Sequence, residues 1–252
     1  MDVIEGIDKL RPQLGPAFIV VGVFDGLHRG HAYLLDHLVG EASSRGARPT
    51  VITFDHHPDE VLRGVAPPLL LDPRERLERL EAAGVAVTVV QHFDQALRQT
   101  PYDGFVERIR ARVVLSGILM TPDAAFGFER RGTPTTLAEL GARDGFDVVV
   151  VPTFSLNGQE VRSSTIRDAV AGGDIETAAR LLGRPVTLTG SIGGAMDGRT
   201  RLDFRLPVAL PPDGDYEAAV DGRPLQLRIV GGDAYLPGEI SNGRVTVVLE
   251  SP

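Results

Sequence analysis

Cysteine is absent from the 252 residues of this chain, and so is any long uninterrupted apolar run. Without thiols the protein has no disulfide bonds, no thiolate metal site and no cysteine nucleophile, and a cytoplasmic location is the default expectation. No stretch approaches the roughly 20 apolar residues that a membrane-spanning helix requires, and the N-terminus lacks the basic start and apolar core of a leader peptide. We therefore expect a soluble, cytoplasmic protein with no membrane partner.

Lysine is scarce, so arginine carries most of the positive charge, and acidic residues outnumber basic ones. The formal net charge of −8 at pH 7 argues against a nucleic acid as partner, because such partners require a basic surface. A bound phosphate would have to be held by arginines acting locally. The length and the hydrophobic content of 42% suit a globular protein of one large or two modest domains. The sequence does not indicate an oligomeric state.

The most informative segment is Gly22-Val-Phe-Asp-Gly-Leu-His-Arg-Gly-His31. It follows an apolar strand-like run that begins at Ala17 and leads into an amphipathic helical pattern. Its three glycines let a ligand approach the backbone closely, and the start of the helix offers N–H groups and a positive dipole end. Two imidazoles, His28 and His31, can each donate to phosphoryl oxygens. The segment predicts a nucleoside triphosphate site suited to nucleotidyl transfer with release of pyrophosphate.

Strand-like runs alternate with helical patterns over roughly the first two-thirds of the chain. The strand candidates are residues 18–24, 49–54, 86–90, 113–120 and 147–151. The helix candidates are residues 32–45, 73–83, 102–111, 135–143, 163–171 and 175–182. This alternation predicts βαβ units and hence an α/β fold with a Rossmann-like parallel sheet and right-handed crossovers. Ligands of such sheets bind beyond the carboxyl ends of the strands, where the glycine and histidine segment would lie.

The character of the chain changes near residue 185, where Gly183-Arg184-Pro185 ends the last helical pattern. Short β-like runs follow at residues 186–192, 202–210, 216–220, 225–230 and 245–249. They predict a small antiparallel sheet or barrel. We expect an α/β domain over residues 1–185 and a small all-β domain over residues 186–252.

Three further segments carry residues suited to ligand binding. They are Thr53-Phe-Asp-His-His-Pro58, Asp123-Ala-Ala-Phe-Gly127 and Val161-Arg-Ser-Ser-Thr-Ile-Arg167. In the last of these, Ser163 and Ser164 suit a helix N-cap, and the same hydroxyl and N–H groups can hold phosphate oxygens. Arg167 follows one turn later and can neutralise a departing pyrophosphate. Capping alone would also explain the serines, and a solvated loop position would explain His56.

Together these segments resemble the bacterial FAD synthetases of the nucleotidyltransferase superfamily, whose signature is G-x-F-D-G-x-H-x-G-H. The resemblance covers residues 16–190 and implies an N-terminal FMN adenylyltransferase followed by a riboflavin kinase module. The implied catalytic residues are His28, His31 and Arg167. The implied ATP-binding residues are Gly22, Phe24, Asp25, Gly26, Gly30, Ser163 and Ser164. The implied flavin- or acceptor-binding residues are Phe54, Asp55, His57, Asp123, Phe126 and Gly127.

The resemblance also implies small-molecule substrates: ATP with Mg²⁺, and FMN, with FAD as the product. No carboxylate cluster identifies a protein ligand for Mg²⁺, which often stays largely hydrated on ATP phosphates, and we assign no residue as a metal ligand. The acceptor segment departs from the family pattern, since Thr121, Ala124 and Ala125 replace glycine, phenylalanine and a usually larger residue. The departures weaken the expectation of a flavin more than that of a nucleotide.

The C-terminal part departs further from the family, because about 67 residues (252 minus 185) remain after Pro185, too few for a complete kinase module. Leu206-Pro-Val-Ala-Leu210 lies where the family carries a threonine and an asparagine that serve ATP and its metal. We therefore expect FMN adenylyltransferase activity without riboflavin kinase activity. Two alternatives stay open: transfer from ATP or CTP to a modified flavin or another phosphate monoester, and a non-catalytic flavin- or nucleotide-binding protein.

Overall fold

A computed structural model of the chain describes residues 1–196, 198–238, 240 and 243–250. The chain forms two compact units. Unit 1 comprises Met1–Phe24, His31–Pro67 and Leu77–Phe154, and unit 2 comprises Asp25–Gly30, Pro68–Arg76 and Ser155–Pro252. The domain boundary at residue 185 stays a prediction. Residues 197, 239, 241, 242, 251 and 252, which the predicted C-terminal domain includes, lie outside the described residues.

Unit 1 contains a six-stranded sheet in which every strand pair is parallel. Its strands are β1 (Asp2–Glu5), β2 (Ala17–Val21), β3 (Arg48–Phe54), β4 (Val87–Gln91), β5 (Leu115–Met120) and β6 (Asp147–Val150). Their order is β1-β4-β3-β2-β5-β6. The predicted Rossmann-like parallel sheet is thus confirmed. Strand β1 was not predicted, because it is a four-residue edge strand in which Ile4 alone is buried.

The helices are α1 (Arg29–Ser44), α2 (Pro58–Arg63), α3 (Pro73–Ala82), α4 (Gln95–Arg98), α5 (Tyr102–Arg110), α6 (Pro134–Asp144), α7 (Ser163–Ala171) and α8 (Ile175–Leu182). The six predicted helices all occur, with ends within three residues of those expected. The two others, α2 and α4, are too short to show a helical period. Short 3₁₀ turns occupy Ile7–Lys9, Pro12–Leu14 and Phe128–Arg130. Among the described residues, no helix is both long and apolar enough to cross a membrane.

Strand β2 is shorter than predicted, because it ends at Val21 and not at residue 24. The backbone at Phe24 has a φ of 54° and that at Leu27 a φ of 38°, values that no extended strand contains. Strand β2 lies between β3 and β5. The chain continues from β2 to β3 and β4 on one side, whereas β5 and β6 lie on the other side, so the strand order reverses between β2 and β5. Such a reversal opens a crevice at the carboxyl ends of the strands, where α/β proteins bind their ligands.

Unit 2 contains a closed antiparallel barrel in the strand order β10-β13-β12-β11-β14-β9. Its strands are β9 (Thr187–Met196), β10 (Arg199–Asp203), β11 (Gly214–Val220), β12 (Arg223–Val230), β13 (Asp233–Pro237) and β14 (Arg244–Leu249), and a hairpin of β7 (Ser155–Leu156) and β8 (Gln159–Glu160) precedes α7. The predicted all-β barrel is confirmed. The strand predicted over 202–210 is wrong beyond Asp203, because Pro207 cannot donate to a ladder and Val208 forms only a single bridge, to Leu69.

Close packing of the sheet in unit 1 predicts a strict requirement for glycine at position 117 of β5. A Cβ atom there would lie 2.4 Å from Cε2 of Phe18 and 2.9 Å from the carbonyl oxygen of Asp147. We expect Gly117→Ala to lower the free energy of unfolding by about 1–3 kcal/mol, measured by urea denaturation. The matched control is Gly40→Ala inside α1, where a Cβ meets no atom within 4 Å and alanine should be neutral or stabilising. Equal effects of the two substitutions would contradict this packing argument.

Candidate active site

A cavity of about 540 Å³ opens in unit 1 at the carboxyl ends of β2 and β3. Its apolar wall includes Phe93, Leu97 and Phe105, and Asp59 and Arg98 lie among its polar residues. Five of the residues predicted for the site line it: Gly22, Phe54, His57, Phe126 and Gly127. The rings of Phe54 and Phe93 meet edge to face, with centroids 5.2 Å apart. The cavity therefore offers aromatic surfaces to a planar ligand.

His57 is positioned by the start of α2, of which it is the N-cap residue. Its Nδ1 accepts a hydrogen bond from the backbone N–H of Asp59 at 3.1 Å. An accepting Nδ1 carries no proton, so in the neutral ring the proton lies on Nε2. Pro58 follows at the first helical position, where its missing N–H costs no helical hydrogen bond. His57 thus combines a capping role with a donor atom on a cavity-lining side chain.

The wall that carries Phe126 is a closed loop whose ends pair through two backbone hydrogen bonds between Phe126 and Gly132. Gly127 has a φ of 78°, and a Cβ there would lie 2.6 Å from the backbone nitrogen of Tyr102. Glu129 and Arg130 also adopt left-handed φ values, 55° and 56°, which strain non-glycine residues. The loop fixes Phe126, whose ring packs 5.3 Å from that of Phe105.

A second cavity in unit 1, of about 160 Å³, lies where β2 and β5 run side by side. Gly22, Phe24, His31 and Phe126 line it, together with residues at the end of β5. The centroids of the Phe24 and His31 rings are 5.1 Å apart. Phe24 is buried and holds a left-handed backbone conformation, and its ring is tilted by 47° relative to the imidazole. Gly22 and Phe126 line both cavities.

Two predicted acceptor-binding residues, Asp55 and Asp123, are not among those that line either cavity. The Asp55 carboxylate is bonded to His92 Nδ1 at 2.6 Å and to the backbone N–H groups of His56 and Phe93. Asp123 accepts from the hydroxyl of Thr121 at 2.9 Å. The Asp55 carboxylate thus links its own loop to the loop that follows β4, whereas Asp123 is bonded within its own loop. Both carboxylates therefore stabilise the loops in which they lie. Their direct contact with an acceptor stays a prediction.

In unit 2, Asp25 is an anchor for the segment that precedes α1. Its carboxylate is 2% exposed and accepts from the backbone N–H of Leu70, with oxygens at 3.0 and 3.2 Å. Nη2 of Arg167 lies 3.0 Å from Oδ2, and Nε of the same guanidinium donates to the carbonyl oxygen of Pro68 at 2.9 Å. The guanidinium predicted to meet pyrophosphate therefore also forms an ion pair with a buried carboxylate.

The same segment is held at two backbone carbonyls. Ser163 donates its hydroxyl to the carbonyl oxygen of Asp25 at 2.9 Å, and Arg184 donates from Nη2 to that of Gly26 at 2.7 Å. The predicted capping role of Ser163 and Ser164 is wrong, because Arg162 is the N-cap residue of α7 and makes no side-chain capping bond. Arg184 was missed as a site residue. Its place directly after α8 suggested only the end of a helix.

Burial and positive neighbours keep His28 neutral at pH 7. The side chain is 5% exposed. Loss of solvation, followed by the charges of Arg184 and Arg167, lowers the pKa of His28 to about 4. A neutral imidazole has one N–H donor, so His28 can give one hydrogen bond to a phosphoryl oxygen. The two guanidinium groups that disfavour imidazolium also favour a bound anion.

Comparison with known proteins identifies the family. Residues 10–165 match the FAD synthetase family. This chain belongs to that family. It is 32% identical over 203 residues to a bifunctional riboflavin kinase/FMN adenylyltransferase of Haemophilus influenzae, which aligns with 79% of this chain. A protein with that same description from Pseudomonas fluorescens is 31% identical to this chain over 193 residues, which are 76% of the chain. Another, from Escherichia coli K12, is 31% identical over 249 residues, which are 96% of the chain.

The aligned part of the chain spans 66%, 62% and 78% of the lengths of these three relatives in the order given. Among solved structures, a macrolide-efflux protein from Streptococcus pneumoniae has the same fold, with a TM-score of 0.81 and 20% identity. The similarity covers 98% of this chain and 88% of that one. At this level of identity the similarity supports the fold alone.

The predicted site residues of this FAD synthetase family member fall into two sets. Those in unit 1 are Gly22, Phe24, His31, Phe54, Asp55, His57, Asp123, Phe126 and Gly127, and those in unit 2 are Asp25, Gly26, His28, Gly30, Ser163, Ser164 and Arg167. In unit 1 seven of the nine line a cavity. In unit 2, Ser163 and Arg167 of α7 hold Asp25, and Ser164 is exposed. Their contacts with ligands stay predictions.

The lowered pKa of His28 predicts a specific loss of stability in acid. Between pH 6.5 and about 4 the unfolded chain binds a proton at this imidazole that the native protein does not, so stability falls as the pH falls. We expect the free energy of unfolding of the wild type to drop on the order of 3 kcal/mol more than that of His28→Asn between pH 7 and pH 4. Urea denaturation at several pH values measures this, with His37→Asn as the control. Parallel curves for wild type and His28→Asn would contradict the burial argument.

Proposed function

We propose that the protein is an ATP-dependent FMN adenylyltransferase, which forms FAD and pyrophosphate. The observation that carries this proposal is the aromatic-lined cavity of about 540 Å³ at the carboxyl ends of the parallel strands. Its volume lies in the range of small-molecule sites, and the proposed flavin residues Phe54, His57, Phe126 and Gly127 line it. Membership in the FAD synthetase family supports the same reaction.

The isoalloxazine ring would occupy this cavity. Phe54 and Phe126 offer ring faces or edges for a planar heterocycle. The Nε2–H group of His57 would donate to an oxygen or nitrogen of the flavin, since its Nδ1 is already an acceptor for the α2 backbone. The strained loop at Gly127 would keep the opposing wall in place without a change of shape on binding.

The phosphate of FMN would attack the α-phosphorus of ATP. A new oxygen–phosphorus bond forms, the bond between the α-phosphorus and the bridging oxygen breaks, and pyrophosphate leaves. His28 and His31 would each donate one hydrogen bond to the α-phosphate oxygens as negative charge develops. Glycines 22, 26 and 30, with Phe24 and Asp25, would shape the backbone on which the triphosphate rests. No covalent intermediate is needed, so catalysis would depend on positioning and charge.

Pyrophosphate would be stabilised by Ser164 and the charge of Arg167. Ser164 is exposed at the second position of α7, near the N–H groups that no helical carbonyl accepts. Two donors of Arg167 are already bonded to Pro68 and Asp25, so its proposed contribution is mainly electrostatic. Mg²⁺ would enter with ATP and keep most of its water. The oxygens of Asp25 already accept hydrogen bonds from Leu70 and Arg167, so we assign no protein ligand to that ion.

We further propose that residues 1–185 carry the transferase activity and that the barrel has no riboflavin kinase activity. The segment Leu206–Leu210 offers no hydroxyl or amide side chain to ATP or a metal. Its backbone is engaged instead, because Pro207 accepts from the N–H of Leu69 and Ala209 donates to the carbonyl of Leu69, both at 2.8 Å. We infer that this segment has a structural role and does not bind ATP.

One observation favours a second candidate function, transfer to a flavin larger than FMN. Ala125 lines both cavities of unit 1, and a larger residue is usual at this position of the family pattern. A methyl group in that place leaves more room between the cavities than a bulky side chain would. A modified flavin with an extended ring substituent would use that space.

Product analysis tests the proposed function directly. We expect purified full-length protein with Mg-ATP to convert FMN to FAD and to leave riboflavin unphosphorylated, because the Leu206–Leu210 segment has no side-chain donors for ATP. Chromatography of the flavins, together with pyrophosphate release, measures both reactions. FMN formed from riboflavin would contradict the absence of kinase activity. Pyrophosphate release with a modified flavin but not with FMN would select the second candidate.

Replacing His31 tests its proposed contact with the α-phosphate. We expect His31→Asn to lower kcat on the order of 100- to 1,000-fold, because the shorter asparagine amide cannot reach as far toward the α-phosphate as the imidazole does. The matched control is His37→Asn on the same helix, whose ring packs on Tyr33 and lines neither cavity of unit 1. Near-normal turnover of His31→Asn with unchanged thermal stability would remove His31 from the mechanism.

A further inference from the structure

Two loops of unit 1 bring a carboxylate and two imidazoles together outside the cavities described above. Asp55 and His56 follow β3, and His92 follows β4. One potential ligand atom from each lies within 4.8 Å of the other two. Nδ1 of His92 is 2.6 Å from Oδ2 of Asp55, and Nδ1 of His56 is 3.3 Å from Oδ1. The two imidazole centroids are 5.9 Å apart.

The central carboxylate is held in place by the backbone. Oδ1 of Asp55 accepts from the N–H of His56 at 2.8 Å and from the N–H of Phe93 at 3.2 Å. These bonds fix the orientation of a ligand that would otherwise rotate, which lowers the entropy lost on metal binding. The imidazoles of His56 and His92 have exposed fractions of 45% and 62%, so both can turn toward an ion from solvent.

The donor set selects the class of ion. Two imidazole nitrogens and one carboxylate oxygen suit Zn²⁺, Co²⁺ or Ni²⁺, whereas Mg²⁺ prefers oxygen alone. Ligand atoms around a tetrahedral zinc ion lie roughly 3.3 Å apart, for bonds of about 2.0–2.1 Å. The observed separations therefore require only side-chain rotations at the two exposed histidines. Three protein ligands leave a fourth position for water.

We propose that Asp55, His56 and His92 form a binding site for a divalent transition-metal ion. The ion would replace the hydrogen bond between Asp55 and His92 and join the loop after β3 to the loop after β4. Phe54 and His57 flank Asp55 and His56 in the sequence, and Phe93 follows His92. All three of these neighbours line the larger cavity. A bound ion would thus tie together two loops of the cavity wall.

Metal titration of the full-length chain without a histidine tag tests the site. The protein is first treated with EDTA and desalted, and Zn²⁺ is then added in competition with a chromophoric chelator. We expect one equivalent of Zn²⁺ to bind, and His56→Asn and His92→Asn each to raise its Kd at least about tenfold. Co²⁺ should give the visible absorption of a four- or five-coordinate site in the wild type and lose it in both variants. Thermal unfolding without metal checks that the variants fold.

The matched control is His37→Asn, which removes an imidazole from α1 and should leave the Kd for Zn²⁺ unchanged. Zn²⁺ should also raise the Tm of the wild type and of this control but not that of the two loop variants. Absence of stoichiometric binding would overturn the proposal. So would a wild-type Kd in either His56→Asn or His92→Asn, because the site requires both imidazoles. These readouts do not depend on FAD synthesis, so failure of the proposed function would leave the test intact.

Discussion

The ion pair between the buried carboxylate of Asp25 and Arg167 supports the conformation of the histidine-containing segment. A carboxylate taken out of water is costly unless its oxygens are bonded, and here the N–H of Leu70 and the guanidinium satisfy them. The guanidinium in turn donates to the carbonyl of Pro68. One pair thereby joins three separate stretches of unit 2: the segment at Asp25, the segment at Pro68 to Leu70, and helix α7. The backbone at Gly26 and His28 depends on that junction.

This junction also explains how an acidic protein can offer a positive site. The net charge of −8 gives no general attraction for phosphates. Around His28, however, Arg167 and Arg184 are placed by bonds to Asp25 and to the carbonyl of Gly26. Loss of solvation, together with the charges of these two arginines, keeps the imidazole of His28 neutral by lowering its pKa. The same local field favours a polyanion such as a triphosphate, and it does so over a short range at physiological ionic strength.

In unit 1 the constraint is steric. Gly127 is required because Tyr102 leaves no space for a Cβ, and Gly117 because Phe18 does not. Phe24, Glu129 and Arg130 hold left-handed backbone conformations that packing around them must stabilise. Such positions cluster around the two cavities, as expected for a binding site shaped before the ligand arrives. The aromatic wall and the rigid loops are therefore consequences of the same dense packing.

The sequence by itself determined the parallel sheet except β1, the six longer helices, and an antiparallel barrel except β13, because the predicted elements have a hydrophobic pattern that can be recognised without tertiary contacts. It also identified Phe54, His57, Phe126 and Gly127, which the structure gathers around one cavity. Tertiary structure alone decided that Ser163 bonds the Asp25 carbonyl rather than capping α7, that Arg184 reaches Gly26, and that His92 meets Asp55 and His56. Ser163 and Arg184 are more than 100 positions from the residues that they contact, and His92 is at least 36 positions from Asp55 and His56. The local hydrophobic pattern does not determine these contacts, because they depend on how separate elements pack against one another.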